Sequence, residues 1–167
     1  METTEHIVET YVRYVKNWFT IPNVKARNGN ELDILAIDTN ENKKYHIEVS
    51  VHITSSFSKL ITDEFEKGEC DEAKRRRTMK FFIEDKFDKS TVLEKLNELG
   101  FKKGEYNRII VTMHSEKSEK MEKLLKKHNI QIWEMKDIID EMNEKLDSKY
   151  YSDDILRTLQ LIKLVNK

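Results

Sequence analysis

Two carboxylates stand where carboxylates are costly. Asp33 lies in the run Glu31-Leu32-Asp33-Ile34-Leu35-Ala36-Ile37, and Glu48 in Lys44-Tyr45-His46-Ile47-Glu48-Val49-Ser50-Val51. Both runs have strand character, and turn formers Asp38 to Lys43 separate them, so the pair reads as a β-hairpin. Side chains alternate along a strand, which puts Asp33 on the face of Leu35 and Ile37, and Glu48 on the face of His46 and Ser50. If the hairpin is symmetric about Asn40-Glu41, with a loop of two or four residues, then 37 faces 44, 35 faces 46 and Asp33 faces Glu48. A loop of odd length breaks this pairing. Facing carboxylates have Cβ atoms about 4.5–5.5 Å apart and repel each other. Their apolar neighbours strengthen that repulsion. A divalent cation such as Mg²⁺, a shared proton, or a lysine or arginine would relieve it. The alternative is an exposed hairpin face with scattered charge, which chance supplies readily in a chain that is 37% charged.

The elements that would position this pair follow from periodicity. Ile7, Val8, Tyr11, Val12, Val15, Trp18 and Phe19 recur at helical spacing after a cap at Thr3 or Thr4, so a first helix is expected to run to Pro22. Val24 to Arg27 can form a short strand before the turn Asn28-Gly29-Asn30. Residues 52–70, with Thr54, Ser55, Ser56 and Ser58, read as mostly loop. Asp71 to Phe87 reads as one helix with Ala73, Met79, Phe82 and Ile83 inward. A helix opens at Thr91, with Leu93, Leu96 and Leu99 inward and Gly100 as its cap. A strand from Asn107 to Met113, a helix capped by Ser115, and a strand from Ile130 to Trp133 form a parallel crossover. Helices from Met135 to Leu146 and from about Asp153 to Val165 complete the chain, the last one apolar over a wide arc. The expected class is α/β, with a mixed sheet between helices. Residues 1–148 form the domain, and 149–167 a helical extension packed on it or used in a homodimer.

Composition bounds the function. Leu, Ile, Val and Phe make up 45 of 167 residues, enough for a core, while the low Gly and Pro content leaves the excess charge to helix surfaces. No apolar run approaches a membrane span, and the acidic N-terminus is not a secretory signal. A lone Cys70 fits a reducing cytoplasm. It is not a nucleophile candidate, having no nearby His and acidic neighbours. Four glycines form neither GxGxxG nor a Walker loop. The net charge of −1 conceals a local separation. Residues 63–72 hold six acids and one lysine, followed by Lys74, Arg75, Arg76, Arg77 and Lys80. On one continuous helix Arg76, Arg77 and Lys80 would project together, suited to phosphate contacts, or be solvated or paired with the acids.

Gly29 to Ala36 followed by Tyr45-His46-Ile47-Glu48-Val49 resembles the core of the PD-(D/E)XK nuclease superfamily, which includes restriction endonucleases and Holliday junction resolvases. The resemblance implies a restriction endonuclease-like α-β-β-β-α-β core, and residues 1–113 have that order. It implies a Mg²⁺- or Mn²⁺-dependent phosphodiesterase acting on nucleic acid, DNA foremost. Asp33 would match the metal-binding Asp, and Glu48 the acid of (D/E)-x-K. Glu5 would be the helix glutamate, with Glu9 as the alternative placed further towards solvent. Glu5 can equally be a plain helix N-terminal acid. The motif lysine is replaced by Ser50. Lys74, Lys80 or His52 would have to supply its charge. Otherwise the fold is an inactive module that binds nucleic acid or a protein partner.

Overall fold

The computed structural model describes residues 2–52 and 59–166. Its scaffold is a mixed five-stranded sheet in the order β1 (Phe19–Lys25), β2 (Glu31–Asp38), β3 (Lys43–Ser50), β5 (Asn107–Thr112) and β7 (Ile130–Glu134), flanked by helices on both faces. Helix α1 (Thr3–Tyr14) opens on a capping box between Glu2 and Glu5. It stops well before Pro22, because Asn17 takes φ 58° and turns the chain. The expected continuation through Trp18 and Phe19 is therefore corrected: Phe19–Lys25 is strand β1. It is the sheet's edge, where Pro22 can sit because no ladder hydrogen bond is needed on its outer side.

Strands β2 (Glu31–Asp38) and β3 (Lys43–Ser50) form the expected hairpin. The ladder pairs Asp38 with Lys43, Ile37 with Lys44, Leu35 with His46 and Ile34 with Ile47. The loop is thus four residues, with Asn42 at φ 53° and the Asp38 carboxylate accepting the Asn40 N–H at 2.9 Å. Strand β3 is the point where pairing changes sense: β2 lies antiparallel on one side, and β5 (Asn107–Thr112) parallel on the other. The crossover through α5 (Glu119–His128) to β7 (Ile130–Glu134) is parallel, as expected. The cap of α5 is Ser118 rather than Ser115, which lies in the short β6 (His114–Ser115) paired with β4 (Lys59–Leu60). The serines at 55, 56 and 58, and Thr54, lie outside the described residues.

The expected helix from Asp71 to Phe87 is broken. A short α2 (Glu72–Arg75) ends because Ile61 pairs with the chain there: its N–H donates to Arg77 O, and its carbonyl accepts the Met79 N–H, both at 3.0 Å. Thr78 then caps α3 (Met79–Phe81), which runs directly into a π-helical segment, Phe82–Phe87. Arg76, Arg77 and Lys80 consequently do not share one helical face. Helix α4 is Ser90–Glu98, burying Val92 and Leu96, while Leu99, just past its end, stays 38% exposed.

Two apolar layers sandwich the sheet. Ile34, Ala36, Ile47, Ile109 and Val111 meet α1 and α6 (Met135–Lys145) through Val8, Tyr11, Val12, Ile138 and Met142. Each of the isoleucines and valines among them, and Met142, contributes about 1.5–3 kcal/mol on burial. The opposite face packs Leu35 against Val92 and Leu96 of α4, and Ile110 against Met79, Phe82 and Phe87. Helix α7 (Asp154–Val165) packs on α1 and α6, its Gln160 amide donating to Asp147 O and Lys149 O at 2.8 Å each. Its outer face leaves Leu161, Ile162, Leu164 and Val165 exposed. Among the described residues no helix is long and apolar enough to cross a membrane.

Candidate metal and phosphate site

Strand alternation puts His46 and Glu48 on the face opposite Tyr45 and Ile47, under the π-helical segment and α4. Asp33 lies on that face too, beside Leu35. The hairpin ladder ends at Ile34–Ile47, and the next bond is made by a side chain: the Val49 N–H donates to Asp33 Oδ2 at 2.8 Å. Asp33 is thereby pinned to the strand that carries Glu48. Both acids are buried, Asp33 to 7% exposure and Glu48 to 0%.

The cation that relieves them is Lys86. Its ammonium contacts Glu48 Oε2 closely and lies 3.5 Å from Asp33 Oδ1. It also approaches the Glu31 carbonyl at 3.4 Å. The other Glu48 oxygen, Oε1, is 2.7 Å from His46 Nε2. His46 is itself fully buried, edge-on to Phe87 with ring centroids 5.0 Å apart. Burial pulls its pKa down to about 3. The ring is therefore neutral, and the Nε2–H donates to the carboxylate.

Charge in this pocket is finely divided. Burial, then the Glu48 charge, pushes Asp33 up from 3.8 to about 7, against the opposing pull of Lys86 and the Val49 N–H. Burial also raises Glu48, with Lys86 opposing. The two carboxylates hold Lys86 above its ordinary range despite the cost of burying it, so the amine stays charged throughout the physiological range.

Glu5 stands at the N-terminus of α1, which packs on the opposite face of the sheet. Its carboxylate accepts the Glu2 N–H at 2.9 Å, the capping role open to it from sequence. Burial raises its pKa, and the Asp33 charge adds to this, so the two acids feel each other. Glu9 reverses its expected placement. It is buried, accepting from Thr20 Oγ1 at 2.9 Å, because β1 folds back across that flank of α1.

None of the three suggested replacements for the motif lysine reaches the pair. Strand β3 ends at Ser50, leaving His52 exposed beyond it. Lys74 sits over the Phe65 ring at 4.5 Å, and Lys80 pairs with Glu66. Arg76 pairs with Glu72 at 3.3 Å, and the Arg77 Nε–H donates to Ala73 O at 3.2 Å. Lys86 had a sequence signal: it continues the inward series Met79, Phe82, Ile83 by one more turn. A lysine on the buried stripe of an amphipathic helix needs a buried partner.

Two hard carboxylate oxygens suit Mg²⁺, which binds through one or two carboxylates and completes its shell with water or phosphate oxygens. The donor chemistry of Asp33 and Glu48 fits that ion. The protein does not supply a full cage, since no group of three His, Cys, Asp or Glu side chains placed to hold a metal occurs among the described residues.

No protein-family model and no curated protein matches the chain. Among solved structures, one described as a protein of unknown function, AF1548, is similar with a TM-score of 0.50 and 16% identity, covering 96% of this chain and 77% of that one. At that identity the likeness concerns the fold alone.

Proposed function

We propose that the chain is a divalent-metal-dependent phosphodiesterase of the PD-(D/E)XK type, acting on nucleic acid, DNA foremost, in the cytoplasm. The observation that carries this reading is the seat of Lys86 on both Asp33 and Glu48. It supplies from a helix the buried positive charge that Ser50 lacks in the strand. Asp33 and Glu48 would hold Mg²⁺ or Mn²⁺. Such an ion lowers the pKa of bound water and offsets charge on a phosphate. Lys86, permanently charged, neutralises the carboxylate pair and presents an ammonium to a phosphate oxygen, acting by electrostatics rather than as a base. His46 orients Glu48 by fixing one of its oxygens. Glu5 lies within the field of Asp33 and would add negative charge to that of the pair.

The test is cleavage of single-stranded, duplex and branched DNA with Mg²⁺ or Mn²⁺. Asp33→Ala should abolish it. Lys86→Met should lower kcat by about 10²–10³, the scale of losing one positioned electrostatic partner. Equal rates for wild type and Asp33→Ala would sink the catalytic reading.

A second reading is a nuclease-like module that binds without cutting. The complete burial of Glu48 favours it, because a carboxylate already hydrogen-bonded by His46 and ion-paired with Lys86 has less need of a metal. DNA binding without cleavage under any divalent ion would select it.

A further inference from the structure

Lys86 has two surroundings. Its inner side meets Asp33 and Glu48, and its outer side lines an open groove of about 420 Å³ between the Arg27–Gly29 turn, α2, the π-helical segment and α4. The groove wall includes Phe81, and the Arg75 guanidinium lies over that ring, 5.0 Å from its centroid. Arg75 is held there by Asp85 at 2.8 Å and Glu72 at 3.1 Å, so it is rigid and already neutralised. The rim adds Lys67, Arg76 and Lys89. Arg76 is mostly exposed and shares Glu72 with Arg75, at 3.3 Å, and Lys89 is tethered by one hydrogen bond to Asn30 at 2.8 Å. Against five cations the lining has three acids, Glu31, Glu72 and Asp85, and each of these is paired with a lysine or arginine. The surplus positive charge therefore lies at the rim.

A fixed aromatic–guanidinium surface beside cations at the rim is the combination that holds single-stranded nucleic acid. The base stacks on the flat surface, and the cations track the phosphates. A base offers its face to such a surface only when it is unpaired, because in a duplex both faces are already stacked on neighbouring bases. We infer that this groove receives one unpaired nucleotide of a single strand, with Arg76, Lys89 and Lys67 on its flanking phosphates and Phe81–Arg75 against its base. The strand then leads directly to Lys86 and the carboxylate pair. This rests on the nuclease reading for its purpose, but binding in the groove can be measured without catalysis.

The experiment uses the full chain carrying Asp33→Asn, in EDTA, with fluorescein-labelled oligothymidylate and a blunt duplex of equal length, read by anisotropy across a salt series. Single strand should bind more tightly than duplex. Adding Arg76→Glu and Lys89→Glu should weaken single-strand binding at least tenfold and lower the log–log salt slope by about 1.4, the share of two phosphate contacts. Phe81→Leu, which keeps an apolar body in the wall, should weaken binding at least fivefold without changing that slope, as loss of stacking does. Lys126→Glu with Lys127→Glu on α5 is the control and should leave affinity unchanged. Duplex binding as tight as single-strand binding, or an effect of the Arg76/Lys89 pair no larger than that of the control pair, overturns the groove assignment. Absence of cleavage alongside groove-dependent binding sinks only the nuclease reading. Cleavage of single strands unimpaired by Arg76→Glu/Lys89→Glu sinks only the groove.

Discussion

Replacing Asp33 by Asn should flatten the pH dependence of stability. The folded protein holds the Asp33 proton up to about 7, whereas the unfolded chain releases it near 3.8. A carboxyl raised on folding makes the native state bind more protons, so its contribution to stability falls as pH rises from the unfolded value to the folded one. The whole interval corresponds to about 4 kcal/mol at about 1.4 kcal/mol per pH unit. Between pH 5 and 8 the accessible part is about 2.5 kcal/mol. Asn keeps an oxygen for the Val49 N–H but has no proton to lose. Urea unfolding in EDTA at pH 5, 6, 7 and 8 gives the stability of both proteins, and the difference between them is the quantity to follow. His46 titrates in part of the same window with the opposite sign: its folded pKa is depressed, so its contribution is lost as pH falls below about 6.5. That contribution is common to both proteins and cancels in the difference. Wild type should lose about 2.5 kcal/mol relative to Asp33→Asn between pH 5 and 8. A difference constant to within about 0.5 kcal/mol would show that Asp33 is not held protonated by its surroundings.

Lys86→Met should destabilise the protein by about 3–5 kcal/mol at pH 8, because two buried carboxylates lose their cation, and the loss should shrink towards pH 5 as a proton takes its place; urea midpoints at the two pH values read this directly. His46→Leu should cost about 1.5–3 kcal/mol by removing the donor to Glu48 Oε1, and calorimetry showing an unchanged Tm would contradict the assigned hydrogen bond. Mg²⁺ should stabilise wild type at pH 8 by about 2.7 kcal/mol at a hundredfold excess over Kd, read as a raised urea midpoint, and leave Asp33→Asn/Glu48→Gln unmoved. Ser118→Ala should cost about 0.5–2 kcal/mol through loss of the α5 cap, whereas Ser115→Ala should leave α5 intact by circular dichroism.

The carboxylate pair and the hairpin register were legible because they depend on local rules. Alternation assigns faces, and a short even loop fixes which residues meet. Glu9 and Phe19 misled for a common reason. Their spacing fits a longer helix, and only the left-handed turn at Asn17 sends the chain back over the first three turns. The break at Arg77–Thr78 was likewise hidden, since it is imposed by Ile61, far away in sequence, bonding to the backbone of Arg77 and Met79. That break is what separates the basic residues from a shared face. Lys86 lay in plain view on the inward stripe, but its partners sit on strands much earlier in the chain, and no local pattern connects them.

A lysine two residues after the acid is in place as soon as its strand is. Lys86 comes 38 positions after Glu48, on a helical segment that must dock before charge balance exists. Closing a loop of that length carries an entropic cost that only the assembled core offsets. A hairpin formed ahead of that docking exposes two repelling acids, which disfavours it, whereas the finished domain rewards it. The same ion contact thus ties the chemistry of the site to completion of the fold: chains that lack the docked helix also lack the site.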